Sequence, residues 1–225
     1  MSNDPQGHIW CAIIPAYRET RHIPEVVRGV LAQGVTPIVV DDGSGDDTGR
    51  LAERAGAVLL RHERNQGKGA ALQTGFRYAQ TNGFTWMITM DADGQHDPGD
   101  LPAFLDAARS GACDVLIGDR MHDTRGMPFA RRCTNRLMSA LLSHAMGQRV
   151  PDTQCGYRAY RAELLPLLAC NSTHFDAESE VLIKLARAGH RIISVPIRTI
   201  YRDERSKISP VRDTLRFLRM WWRNR

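Results

Sequence analysis

The 225-residue sequence predicts an α/β protein built on a mostly parallel sheet. Three observations carry that expectation. Short apolar runs alternate with longer stretches of helical periodicity through the first half of the chain. The runs are continuous rather than polar–apolar alternating, as suits strands buried on both faces. Several of them end abruptly in acidic residues, and open parallel sheets bind their ligands at the carboxyl ends of strands.

The predicted strands are HIWCAIIPA (8–16), PIVV (37–40), AVLL (57–60), TWMITM (85–90) and DVLIG (114–118). Between them the periodicity predicts helices over 21–33, 46–55, 68–81 and 98–109. The last opens with DPGD, where Asp97 can cap and Pro98 can occupy the first turn. Beyond residue 120 the pattern changes. Residues 128–147 read as one long helix, GYRAYR and RIISVPIRTIYR as strands, and 174–188 and 210–224 as helices. There is no internal repeat, low-complexity segment or linker, so one domain over 1–225 is expected, with 8–120 and 121–225 as two functional halves.

Bulk composition narrows the function classes. With 42% hydrophobic and 24% charged residues the chain is ordinary for a globular protein. It has no signal-peptide pattern and no run near the roughly 18 apolar residues of a membrane span. Five scattered cysteines without a CxxC pair indicate buried thiols in a reducing, cytoplasmic setting. The net charge of +5 lies entirely in residues 201–225, which hold eight Lys or Arg against three acids. Residues 121–149 add five arginines with one acid. An anionic partner is therefore expected at the C-terminal half.

The chemistry concentrates at the strand ends. The run TWMITM stops at Asp91, and Asp93 and Gln95 follow at alternate positions, on one side of an extended chain. Carboxylate and amide oxygens suit a hard cation, Mg2+ or Mn2+, that also takes substrate phosphates. An EF-hand would need glycine where His96 stands, and zinc would need His or Cys spacings that are absent. The bland alternative is a capped helix with solvated loop acids. In VVDDGSGDDT (39–48) a dinucleotide fingerprint fails, because Thr48 replaces its third glycine and Asp46 and Asp47 would repel a pyrophosphate. A strand-end acid there suits hydrogen bonds from a base or ribose, while Ser44 or Asp46 can cap the next helix. NQGKGAA (65–71) is not a P-loop, since His62 and Gly69 occupy two of its required positions; a tight turn into a helix is expected, with Lys68 near phosphate as the functional alternative.

Taken together, these segments resemble family 2 glycosyltransferases of the GT-A fold, and most of all the dolichol-phosphate mannosyltransferase type and its bacterial polyprenyl-phosphate relatives. The resemblance runs through IPAYRE (14–19), VVDDGSGDDT (39–48), RNQGKGAAL (64–72), MDADGQHDP (90–98), GDR (118–120), RRCTNRLMS (131–139) and VPDTQCGYRAYR (150–161). It implies a single Rossmann-like α/β domain. It further implies that Pro15, Tyr17, Glu19 and Asp42 contact the base and ribose of a GDP- or UDP-sugar, within a pocket that includes Asp41, Lys68, Asp91 and Ala92. Asp91, Asp93 and Gln95 would hold the metal. Arg202 and Lys207 would close on the diphosphate, and Arg120, Arg131 and Asn135 would hold the phosphate of a polyprenyl acceptor. Asp93, Arg120, Arg131, Arg202 and Lys207 would thus be catalytic. The sequence departs from the pattern at Arg18, where asparagine is usual, at Asn135, where serine is common, and in the short YRDERSK loop.

The expected reaction follows from charge. A metal with Arg202 and Lys207 can stabilise a leaving nucleoside diphosphate. A phosphate acceptor is already anionic and needs arginines to position it, not a base; in-line displacement then inverts the sugar. The rival is a hydroxyl acceptor served by Asp152, Asp176 or Glu178, although Asp152 could instead pair with Arg158. In PVRDTLRFLRMWWRNR, Val211, Leu215, Leu218 and Trp222 share a helical face flanked by arginines, which suits either an interfacial anchor or a packed C-terminal helix. Peripheral contact with the cytoplasmic face of a membrane is the corresponding expectation. Nucleic acid is not an expected partner: the pI of 9.2 would permit it, but no nucleic-acid module is recognisable and acids cluster at the strand ends. A nucleotidyltransferase would carry a glycine-rich basic loop after the first strand, where PAYRET stands instead.

Overall fold

The computed structural model describes residues 7–168, 176–198 and 200, with side chains from 179 onward in the second stretch. Seven strands form one sheet in the order β3-β2-β1-β4-β6-β5-β7. They are β1 (Trp10–Ala16), β2 (Thr36–Asp41), β3 (Val58–Arg61), β4 (Trp86–Thr89), β5 (Val115–Asp119), β6 (Arg158–Arg161) and β7 (Ile192–Pro196). All neighbours are parallel except β6, which runs antiparallel to both β4 and β5. The principal helices are α1 (Ile23–Ala32), α2 (Thr48–Arg54), α3 (Lys68–Thr81), α4 (Leu101–Arg109), α5 (Phe129–Met146), α6 (Leu165–Leu168) and α7 (Asp176–Arg187). The predicted strands and helices of the first half are all present, each within a few residues. The predicted strand 191–202 is shorter, and α6 was not expected. The predicted helix over 210–224 lies outside the described residues.

The apolar runs form strands because helices cover both faces. Cys11, Ala12, Ile13 and Ile14 of β1 and Ile38, Val39 and Val40 of β2 are all fully buried. The central register pairs Ile13 with Ile38 and Ile14 with Val39, so both strands end level, at Ala16 opposite Asp41. On the other side β1 pairs Ile13 with Thr89 of β4. The carboxyl ends of the parallel strands therefore gather at one edge.

Close helix–sheet packing holds that edge. Gly75 of α3 lies directly on β1: a Cβ there would sit 2.3 Å from Ile13 Cγ2. Glycine costs helix propensity, and here it lets α3 approach the sheet closely enough to bring its first turn to the strand ends. Asp97 caps the 98–100 turn as expected, its Oδ1 accepting from Gly99 N at 2.8 Å, with Pro98 in the first position. Asp46 supports the start of α2, accepting from Thr48 N at 3.0 Å. Ser44, the other candidate, instead accepts from Arg18 N. Cys11, Cys113 and Cys155 are buried free thiols, but Cys133 is exposed on α5, contrary to the expectation of buried cysteines; position 133 faces away from the sheet.

Candidate active site

The β1 exit begins with exposed Tyr17, followed by Arg18 at φ +54°. That left-handed conformation is uncommon for arginine and better tolerated by asparagine, the residue the resemblance led one to expect here. The Arg18 guanidinium lies 5.2 Å from the centre of the Tyr17 ring. Glu19 accepts from His22 Nδ1 at 2.9 Å and its own N–H donates to Thr48, tying the β1 exit to the start of α2. Pro15 lies just behind these residues in β1.

The two β2-exit acids face inward. Asp41 is buried, accepts from Ser44 N and lies 3.3 Å from Arg61 Nε. Asp42 Oδ1 contacts His62 Nδ1 at 2.7 Å and accepts from Gln66 N at 2.9 Å, while Oδ2 accepts from Gly67 N at 2.7 Å. His62 in turn contacts Thr74 of α3. Asp42 thus fastens the turn that starts α3. Gly43 makes this possible: it adopts φ +71°, and a Cβ there would lie 2.4 Å from the Arg64 backbone.

That turn delivers Lys68, the first residue of α3, to the β4 exit. Lys68 Nζ lies 2.7 Å from Asp91 Oδ1. Burial pushes the Asp91 carboxyl up, but the positive groups around it, Lys68 foremost, together outweigh that, and the carboxyl is held at about 2. Asp91 is therefore an anion throughout the physiological range. Asp93 Oδ1 accepts from Gln95 N at 3.0 Å across a tight turn that passes through Gly94, with Ala92 buried beneath. Asp91, Asp93 and Gln95 are thus carried on one short turn. Among the described residues no group of three or more His, Cys, Asp or Glu could hold a metal by itself. The donor set fits Mg2+ or Mn2+ bound partly by protein oxygens and partly by substrate phosphates.

The β5 exit carries Arg120, which is buried against Asp152: Nε donates to Oδ2 at 2.6 Å and Nη2 to Oδ1 at 2.9 Å. Asp152 also accepts from Arg120 N. This corrects the expected pairing of Asp152 with Arg158, whose guanidinium donates to the Cys155 and Thr153 carbonyls. The Ser139 hydroxyl of α5 accepts from Thr153 N–H and bonds the Thr153 hydroxyl, so α5 is anchored beside the Arg120–Asp152 pair. One turn earlier on the same face lies buried Asn135. Its Nδ2, with Nε of Arg131 and of Arg132, is shielded from water and has no hydrogen-bond partner among the described residues.

Of the expected site residues, the structure places Pro15, Tyr17, Glu19, Asp41, Asp42, Lys68, Asp91, Ala92, Asp93, Gln95 and Arg120 along one sheet edge. Arg131 and Asn135 stand on the adjoining helix. Arg202 and Lys207 lie outside the described residues, and Asp176 and Glu178 lie in α7 at positions whose side chains are outside the description. Sequence reasoning missed His62, which clamps Asp42, and Arg198, which bonds Asp97 and Asp100. A polar residue next to a glycine turn was the available signal for His62; Arg198 had none, since its partners are remote in sequence.

The carboxyl ends of the strands thus bring together anionic residues, an oxygen-donor turn and a neighbouring cationic helix. The chain belongs to glycosyl transferase family 2, whose family model matches residues 11–167. It is 34% identical over 205 residues to the undecaprenyl-phosphate mannosyltransferase of Micrococcus luteus, covering 85% of this chain and 83% of that one. It is 29% identical over 214 residues to a UDP-N-acetylglucosamine–dolichyl-phosphate N-acetylglucosaminyltransferase of Methanococcus voltae, covering 85% of each. Among solved structures it resembles glucosyl-3-phosphoglycerate synthase from Mycobacterium tuberculosis in complex with Mn2+, UDP-glucose and phosphoglyceric acid. That match has TM-score 0.73 at 20% identity, covering 96% of this chain and 80% of that one, and it establishes the GT-A fold.

Proposed function

We propose that this glycosyltransferase moves a hexose of the mannose or glucose type from a nucleoside-diphosphate sugar to a polyprenyl phosphate, with inversion at the anomeric carbon. The observation that carries the acceptor assignment is the trio of water-shielded donors on α5, the Asn135 amide and the Arg131 and Arg132 Nε atoms. Buried donors without acceptors are costly, and an acceptor phosphate would satisfy them. Two relatives that differ in sugar share a polyprenyl-phosphate type of acceptor in their names.

The donor would lie along the β1, β2 and β4 exits. Tyr17 is exposed there for a base or ribose to pack on, while Asp42 acts through the Gln66–Gly67 turn that sets Lys68. Asp91, Asp93 and Gln95 would hold Mg2+ or Mn2+, which when bound supplies charge stabilisation to the diphosphate. Ile200 N donates to Gln95 O at 3.3 Å, so the last described residue lies beside the oxygen-donor turn. Arg202 and Lys207 follow it closely in sequence, and the resemblance assigns them to the diphosphate. Lys68 and Arg120 both add positive potential at Asp91.

The rival hydroxyl acceptor would require a free carboxylate. Asp152 is fully buried and bonded through both oxygens to Arg120, which counts against it as a base.

The opposite face of α5 supports peripheral membrane contact. Phe129 is 71% exposed and Leu137 57% exposed, with Cys133 between them and Arg136 alongside. No helix among the described residues is long and apolar enough to cross a membrane. We place the enzyme on the cytoplasmic face of a bilayer, with α5 at the surface and its Asn135 side toward the acceptor phosphate. Arg131→Ala should raise KM for polyprenyl phosphate about tenfold or more while leaving KM for the donor unchanged; an unchanged acceptor KM contradicts the assignment. In co-sedimentation, the protein should pellet with anionic vesicles and lose binding in Phe129→Ser/Leu137→Ser. Equal failure on anionic and neutral vesicles removes the membrane contact.

A further inference from the structure

The oxygen-donor turn is closed by His96, whose side chain is not one of the expected metal donors. His96 is buried, and its Nδ1 accepts from the backbone N–H of Asp91 at 3.1 Å. An amide nitrogen can only donate, so Nδ1 carries the lone pair and the tautomer follows. This bond joins the two ends of the segment Asp91–His96, which contains all three oxygen ligands, Asp91, Asp93 and Gln95. The Asp93–Gln95 bond braces its middle.

The ring itself is fixed from behind. It stacks on Tyr157 with centroids 5.0 Å apart, and Tyr157 stacks on Phe104 of α4 at 4.6 Å. Phe104 and Tyr157 are fully buried, so the stack is part of the core. Gly156 leaves room for it at the front. A Cβ at 156 would sit 3.4 Å from Lys68 Nζ, 3.5 Å from Asp91 Oδ2 and 3.8 Å from His96 Cε1. Three groups thus converge over a position with no side chain, and the only one anchored in the core is His96.

We propose that His96 is a positioning residue for the metal-binding turn: it transmits the rigidity of the Phe104–Tyr157 stack to Asp91 and so pre-forms the oxygen donors. This rests on the assignment of Asp91, Asp93 and Gln95 as ligands. Partners that orient ligands typically contribute 10–100-fold in metal affinity, and pre-forming a site reduces the ordering cost of binding.

The test is Mn2+ binding followed by electron paramagnetic resonance, with UDP and separately with GDP present, on the full chain. His96→Phe keeps an aromatic ring in the stack and removes the acceptor. It should weaken Mn2+ binding about 10–100-fold. His96→Asn, which can place an oxygen near the Nδ1 position, should bind Mn2+ much more tightly than His96→Gln, whose oxygen falls elsewhere. Phe104→Leu loosens the stack without touching the acceptor. It should weaken Mn2+ binding too, by less than His96→Phe does, because the turn keeps its bond to Nδ1 but loses the support behind it. Should His96→Phe fail to fold, the Asn and Gln pair decides. Wild type that binds Mn2+, with His96→Phe or His96→Gln binding equally well, overturns the positioning role. Wild type that binds no Mn2+ with either nucleotide overturns the ligand assignment, and this proposal with it.

Discussion

Arg120 and Asp152 form a buried, bidentate ion pair at the β5 exit. Asp152→Ala removes the bidentate partner of a buried guanidinium, a loss of roughly 3–5 kcal/mol for such pairs. We therefore expect a large drop in urea midpoint for Asp152→Ala. A catalytic base would instead give a collapse in kcat at nearly unchanged stability. The cysteines give a second residue-scale expectation. Burial pushes the Cys155 thiol up to about 11 and raises Cys11 and Cys113 as well. In a Cys170→Ser background, a thiol reagent at pH 8 should label Cys133 rapidly and the other three only on unfolding. Fast labelling of more than one thiol would contradict the burial. At this scale the sequence revealed residue types well and contacts poorly. Asp42 was legible as a strand-end acid, but not its use in holding the Gln66–Gly67 turn. That depends on β3 bringing His62 alongside, a contact between residues 20 apart.

At the scale of elements, packing of α3 on β1 sets where Lys68 arrives. Ile13 is fully enclosed and cannot yield to a methyl at position 75. Gly75→Ala should cost about 1–3 kcal/mol by overpacking, read as a lower urea midpoint. A stabilised variant, the outcome of helix propensity alone, would show that the close approach is absent. The first-half elements were legible because continuous apolar runs and helical periodicity differ in kind. The orientation of β6 was not. RAYR has the same composition whether it runs parallel or antiparallel, and its direction follows from the path of α5 back across the molecule. The α6 turn was missed for a related reason: its four residues, LPLL, are too short to show a period.

At the scale of the molecule, the fold separates two chemistries along one sheet edge. Anionic strand ends and an oxygen-donor turn occupy the β1, β2 and β4 exits, and the cationic α5 flanks the β5 exit. The charge asymmetry of the second half was visible in the sequence; that α5 divides into a buried donor face and an exposed apolar face required the fold. The measurement that tests the account most directly is a transfer assay. The protein would be incubated with Mn2+ or Mg2+, GDP- and UDP-sugars, and polyprenyl phosphate in detergent, with nucleoside diphosphate and glycolipid both followed. The account predicts metal-dependent glycolipid, formed in equal amount to the nucleoside diphosphate released, and lost in Asp93→Ala. Nucleotide release with no glycolipid from any donor, or glycolipid formation unaffected by Asp93→Ala, would contradict it.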